Sequence, residues 1–177
     1  LTHDGRLYLH WAAMTGNKEV IEYFISKGSD VNKLDTKGLT PLSFAAYFGL
    51  DNPEIYDMFF KAGVNPKHKY KDDGSNALQI VARKPNQTEI INYLIGKGAE
   101  ANKADNEGNN ALMAAASGKD LNNVKAILPK IKNINAVNAN GESALTHAVR
   151  YGSPEIVAYL LDNKADVKVA DIKGNNL

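Results

Sequence analysis

Glycine recurs along the chain at Gly5, Gly38, Gly74, Gly108, Gly141 and Gly174, at spacings of 33, 36, 34, 33 and 33 residues. This recurrence constrains the fold more than any other feature, because a fixed period of this size means that one small unit is copied and stacked. After each of the first five glycines a Leu stands fourth, and small or apolar residues stand seventh and eighth. The segments are GRLYLHWAA (5–13), GLTPLSFAA (38–46), GSNALQIVA (74–82), GNNALMAAA (108–116) and GESALTHAV (141–149). A second apolar segment follows each: EVIEYFI (19–25), EIYDMFF (54–60), EIINYLI (89–95), NVKAIL (123–128) and EIVAYLL (155–161). Turn-rich links come next, as in KGSDVNKLD (27–35), KAGVNPKH (61–68), KGAEANKAD (97–105) and NKADVKVAD (163–171).

Both segments have helical period. Pro41 suits a first helical turn, which needs no backbone donor. Leu42, Ala45, Ala46 and Gly49 then fall on one face. The alanines let a short helix approach its neighbour closely. Val20 with Phe24, and Ile90 with Leu94, give the second segment its own apolar face, with further apolar residues at Ile21, Ile25, Ile91 and Ile95. Helices this short are not stable alone, so each unit must bury its faces on the next and stability is a sum over neighbours. At ~8–10 Å between packed axes, five units make a slab roughly 50 Å long. Gly28, Gly63 and Gly98 are expected at left-handed helix caps, and the recurrent glycines at positive φ in tight turns.

The pattern resembles the ankyrin repeat. Thr40-Pro41-Leu42 with Ala45-Ala46 matches that family's T-P-L-H-x-A, and Leu9-His10 supplies its His. The resemblance covers essentially the whole chain and implies one all-α domain over 1–177. Its architecture is a solenoid of stacked helix-turn-helix units with protruding β-turn or hairpin loops. The repeats fall at about 2–34, 35–69, 70–104, 105–137 and 138–170, with a partial sixth at 171–177. It identifies an architecture rather than an activity. In stacks of this kind partners usually meet the turn tips and the exposed side of the first helix. Carried onto this sequence, the resemblance gives the tip residues Lys37, Asp72, Asp73, Asn106, Glu107 and Asn140. The helix positions are Tyr47, Phe48, Arg83, Lys84, Arg150 and Tyr151. Tyr and Arg are favoured interface anchors, although the aromatics could equally pack on neighbouring helices.

Departures from the pattern locate irregularities. The second repeat has two extra residues between its helices, and one more precedes the next turn at Lys71-Asp72-Asp73. Pro85-Asn86-Gln87 lies in the inter-helix link of the third repeat. Pro129 should end the second helix of the fourth repeat early, with Ile131 and Ile134 covering the gap. Asn163 or Lys164 should take the left-handed cap of the fifth. Leu7, Tyr8 and Trp11 at one end and a partial repeat at the other read as a piece of a longer array, with the sixth turn docked on the fifth repeat.

Chemistry other than binding finds little support. There are no cysteines, so disulfides, thiol catalysis and Cys-based metal sites are absent. The four histidines lack metal-ligand spacing, so no metal is expected. His10 reads as a neutral imidazole bonded to turn backbone, and His147, one position later, as semi-buried. No nucleotide-binding glycine motif and no nucleophile elbow occur, so no cofactor, small-molecule substrate or catalytic residue is assigned. Asp72-Asp73 reads as a solvated turn, and Asn86-Gln87-Thr88 as a coincidental sequon. Lys plus Arg (21) nearly balances Asp plus Glu (20), which gives no bulk field for nucleic acid or membrane. No apolar run reaches the ~18 residues of a membrane span. The polar opening Thr2 to Arg6 shows no export signal, and the cytoplasm is the favoured compartment, with a leader lost upstream left open. The expected function is a monomeric, non-catalytic protein–protein interaction module that binds an unidentified protein through its concave face. The alternative is a regulatory or targeting domain of a larger enzyme or secreted effector. An enzyme would need a cleft holding a strongly shifted ionisable group, and a nucleic-acid binder a continuous basic stripe.

Overall fold

A computed structural model describes residues 3–70, 73–151 and 153–168. Five helix pairs follow one another: α1 (Tyr8–Thr15) and α2 (Lys18–Ser26), α3 (Pro41–Tyr47) and α4 (Pro53–Lys61), α5 (Ala77–Ala82) and α6 (Thr88–Gly96), α7 (Ala111–Gly118) and α8 (Leu121–Ile127), α9 (Ala144–Arg150) and α10 (Pro154–Asp162). The first helices of the pairs pack side by side in one layer. The second helices pack behind them. No strand occurs among the described residues, and one antiparallel bridge joins Lys69 to Asn76.

Short polar side chains start most of these helices by accepting otherwise orphaned backbone N–H groups. Thr40 Oγ1 accepts from Ser43 (3.2 Å), with Pro41 in the first turn. Asn17, Asn52, Asn76, Asn110 and Asp120 do the same for α2, α4, α5, α7 and α8. Much of the chain's abundant asparagine thus has a local structural task that composition did not reveal.

The repeated Leu forms the spine of the core. Leu9, Leu42, Leu78, Leu112 and Leu145 are all buried, as are Ala12, Ala45, Val81, Ala115 and Ala148. Ile21, Ile55, Ile90, Val124 and Ile156 of the second helices are fully buried from the other side. Each fully buried aliphatic side chain contributes about 1.5–3 kcal/mol, so a repeat gains its stability at the seams with its neighbours.

The irregularities fall where the sequence places them. Gly28, Gly63 and Gly98 take positive φ, and Lys164 (φ 69°) does so in the fifth repeat. Pro129 follows α8 in a 3-10 turn over Leu128–Lys130, and Ile131 and Ile134 pack half-buried on the core. Two details differ. Gly49 lies beyond α3 in the left-handed region (φ 81°) instead of on the helix face, because α3 ends at Tyr47. Asn86 and Lys119 also adopt positive φ, and neither was foreseen. The insertion after Gly49 keeps α3 and α4 farther apart than the other pairs. The Tyr56 hydroxyl reaches across that gap and donates to the Leu50 carbonyl (3.1 Å). The sixth turn, Asp171–Leu177, lies outside the described residues.

Candidate functional site

Three of the protruding turns, those of Gly38, Gly108 and Gly141, are each built on a side chain three residues before the glycine. Asp35 Oδ1 accepts the N–H groups of Lys37 and Leu39 (2.9 Å each). Asp105 Oδ1 accepts those of Glu107 and Asn109 (3.0 and 2.8 Å), and Asn138 Oδ1 those of Asn140 and Glu142 (2.9 Å each). The tips are also tied to one another: Thr36 N–H donates to the Asp4 carbonyl (3.0 Å), Asn106 to Asp73 (2.8 Å) and Ala139 to Glu107 (2.8 Å). The result is a row of turns held in register beside the first helices. Sequence reasoning gave Asp35, Asp105 and Asn138 no role. Their constant offset from the turn glycine was the available signal.

All three arginines of the chain pair with carboxylates at this row. Arg6 Nε lies 3.0 Å from Asp35, and Arg83 Nη2 lies 3.5 Å from Asp105 with Asp73 at 4.0 Å. Arg150 pairs closely with Glu142. Burial pushes the Glu142 carboxyl up, but the Asn138 amide and the Arg150 guanidinium outweigh it and hold the group below its usual range. The arginines expected as partner anchors therefore also hold turns to helices.

The histidines divide as expected into structural roles. His10 Nδ1 accepts the Leu7 N–H (3.1 Å), which leaves Nε2–H to donate to the Leu39 carbonyl (3.1 Å). Burial lowers its pKa. His147 Nδ1 pairs with Ser117 Oγ (2.9 Å), while Nε2 is buried without a hydrogen-bond partner, 3.8 Å from Glu142. Burial again lowers the pKa. Among the described residues no cluster of three metal-ligating side chains occurs and no helix is long and apolar enough to cross a membrane.

Six of the residues anticipated from sequence come together around one cleft. Lys37, Tyr47, Phe48, Asp73, Arg83 and Lys84 line a cavity of about 340 Å³ between the second and third repeats. Its floor is Leu39, Phe44, Tyr70 and Ile80, all buried. Tyr47 and Phe48 form its wall, 51% and 56% exposed, so neither is consumed by packing. The Phe48 ring meets Phe44 edge-on at 4.9 Å, and Lys84 Nζ lies 5.1 Å from the Tyr47 ring centre. Arg150 and Tyr151 lie apart from this cleft, with Tyr151 stacked on His147 at 6.3 Å. Asn106, Glu107 and Asn140 stand exposed on the later tips. Asp72 lies outside the described residues.

The cleft has a sequence cause. The sixth residue after each turn glycine is Trp11, Phe44, Ile80, Ala114 and His147 in the five repeats. Bulk at this position in α3 and α5 fills the seam's front. At the next seam Ala114 and Gly118 let α7 close against the end of α5, where a Cβ on Gly118 would stand 2.8 Å from the Ala82 carbonyl oxygen.

Repeating helix pairs with hydrogen-bonded turns can be set beside known proteins. Family models described as ankyrin repeats match residues 50–136, 78–171 and 9–60. The chain belongs to the ankyrin repeat family. Ankyrin repeats are generally protein-interaction modules. An ankyrin repeat protein of Acanthamoeba polyphaga mimivirus is 28% identical over 174 residues, 96% of this chain and 22% of that protein. The palmitoyltransferase AKR1 of Lachancea kluyveri is 29% identical over 171 residues, 93% of this chain and 23% of its own length. The E3 ubiquitin-protein ligase KEG of Arabidopsis thaliana is 28% identical over 117 residues, 66% of this chain and 7% of its own. The chain thus spans less than a quarter of each of these relatives.

Proposed function

We propose that this ankyrin chain is a non-catalytic module that binds a protein partner on its concave face, through the turn tips and the first helices. The observation that carries the reading is the exposed pair Tyr47 and Phe48 beside a preformed cleft. Monomeric soluble proteins rarely leave large apolar groups together on the surface without a use, and aromatic residues over a pocket are typical binding anchors. The Lys37 tip beside them is held by two hydrogen bonds to Asp35, which lowers the ordering entropy that binding there costs. The arginines and Asp73 at the cleft are engaged in ion pairs with one another or with the turns, and the buried histidines hold backbone or lack an acidic partner at hydrogen-bond distance. Neither arrangement supplies a general acid–base pair. The balanced charge gives no reason to invoke nucleic acid.

Paired variants test this reading. Tyr47→Asp with Phe48→Asp alters the concave face, while Glu19→Lys with Glu89→Lys alters exposed positions on α2 and α6. A partner captured from lysate of the source cells should be retained by the wild type and by the second variant and lost by the first. Retention by the first and loss by the second would overturn the proposal. A second reading is favoured by one observation. Relatives that match over most of this chain include a palmitoyltransferase four times longer than the matched part, so the module could direct a larger protein to its target. Recovery of the complete gene decides between a free module and a targeting domain.

A further inference from the structure

We infer that the cleft between the second and third repeats is an anchor site for a partner segment that inserts one apolar side chain flanked by a carboxylate. This rests on the concave-face reading above and narrows it to one seam and one chemistry. The apolar requirement comes from shape and lining. A cavity of about 340 Å³ holds one large side chain, and its surfaces are Leu39, Phe44, Tyr70 and Ile80 below and Tyr47 and Phe48 beside.

The acidic requirement comes from charge. Four cations line the cleft, Arg6, Lys37, Arg83 and Lys84, against one carboxylate, Asp73. Arg6 is committed to Asp4 and Asp35, and its guanidinium lies 4.7 Å from the Phe44 ring centre. Arg83 faces Asp105 and Asp73. Lys37 and Lys84 form no salt bridge among the described residues, and Lys84 rests only on the face of Tyr47. Two lysines on the rim of an aromatic cleft select a carboxylate beside the inserted group and repel a basic segment. The later seams lack this combination, since Ala114, Ser117 and Gly118 present small groups there.

The test uses the 177-residue chain and a display library of random linear peptides. Enriched sequences should carry Phe, Leu, Ile or Trp within two residues of Asp or Glu. The best of these, as a synthetic labelled peptide, should bind the variant Lys37→Glu with Lys84→Glu roughly tenfold or more weakly. A peptide with Lys in place of its acid should recover affinity for that variant. Thermal melts of the variant should stay close to the wild type, because neither lysine forms a salt bridge among the described residues. Enriched peptides without an acid, unchanged affinity in the double variant, or no enrichment at all would overturn the inference. So would self-association of the chain abolished by Phe48→Asp, which would make a second copy the occupant. Peptides that protect the later tips near Asn140 and Tyr151 from hydrogen exchange would overturn the anchor but keep the concave-face reading. Protection confined to α2, α4 and α6 would overturn both.

Discussion

Gly96 and Gly118 each end a helix, and substitution by alanine should move stability in opposite directions. At Gly118 the new Cβ would lie 2.8 Å from the Ala82 carbonyl oxygen and 2.9 Å from the Arg83 Cα. Ordinary contact begins near 3.4 Å, so the seam between α5 and α7 must open by about 0.6 Å. The obstacle is backbone and has no rotamer to escape into. Overpacking of this kind costs roughly 1–3 kcal/mol, against at most about 1 kcal/mol gained by removing a helical glycine. A net loss of about 1–2 kcal/mol is expected. Gly96 ends α6 with nothing within 4 Å of its Cβ position, so Gly96→Ala should be neutral or stabilising by up to about 1 kcal/mol. Urea unfolding followed by circular dichroism reads both. Because the crowded seam is mid-stack, Gly118→Ala should also broaden the transition by loosening the coupling of the two halves. A Gly118→Ala protein as stable as the wild type, or a Gly96→Ala protein that loses as much, would refute the packing account.

Three further outcomes are expected. Asp105→Ala should cost roughly 2–3 kcal/mol, since it leaves the Asn109 and Glu107 N–H groups without their acceptor; Asp105→Asn should recover most of this, as Asn138 already does that work in the next turn. Lys164→Gly should stabilise by about 1 kcal/mol, because Lys is held at φ 69°, and a melting temperature that falls would contradict it. Stability should also depend on pH through His10 and His147, whose pKa values burial holds below 6.5. The unfolded chain then takes up protons first as pH falls through 6.5, so stability is full above that value and declines below it. Urea midpoints that stay level from pH 7.5 to 5.5 would exclude this linkage.

Local chemistry was legible in the sequence because its causes are local. Pro129 stops α8 through its ring, and Lys164 sits where the first three repeats have Gly28, Gly63 and Gly98. The buried Leu and Ala positions follow from period alone. Asn86 and Lys119 were missed because the position just before the second helix's N-cap, left-handed at Gly16 in the first repeat, carries no glycine in these two repeats. The candidate site was half legible. Tyr47 and Phe48 proved exposed, as a binding role requires, and their neighbours Lys37 and Lys84 join them at one cleft. The partners of Arg83 and Arg150 were not readable, because Asp105 and Glu142 reach them only after turns and helices pack. That pairing also weakens arginine charge reversal as a binding test, since Arg83→Glu or Arg150→Glu would disturb the turns themselves.

The most direct measurement is a titration of the isotopically labelled chain with the strongest acidic–apolar peptide, followed by backbone amide shifts. Concave-face docking predicts that the largest changes cluster at Lys37, Phe44 to Phe48 and Arg83 to Lys84. Changes centred on α2, α4 and α6, with those residues silent, would contradict it.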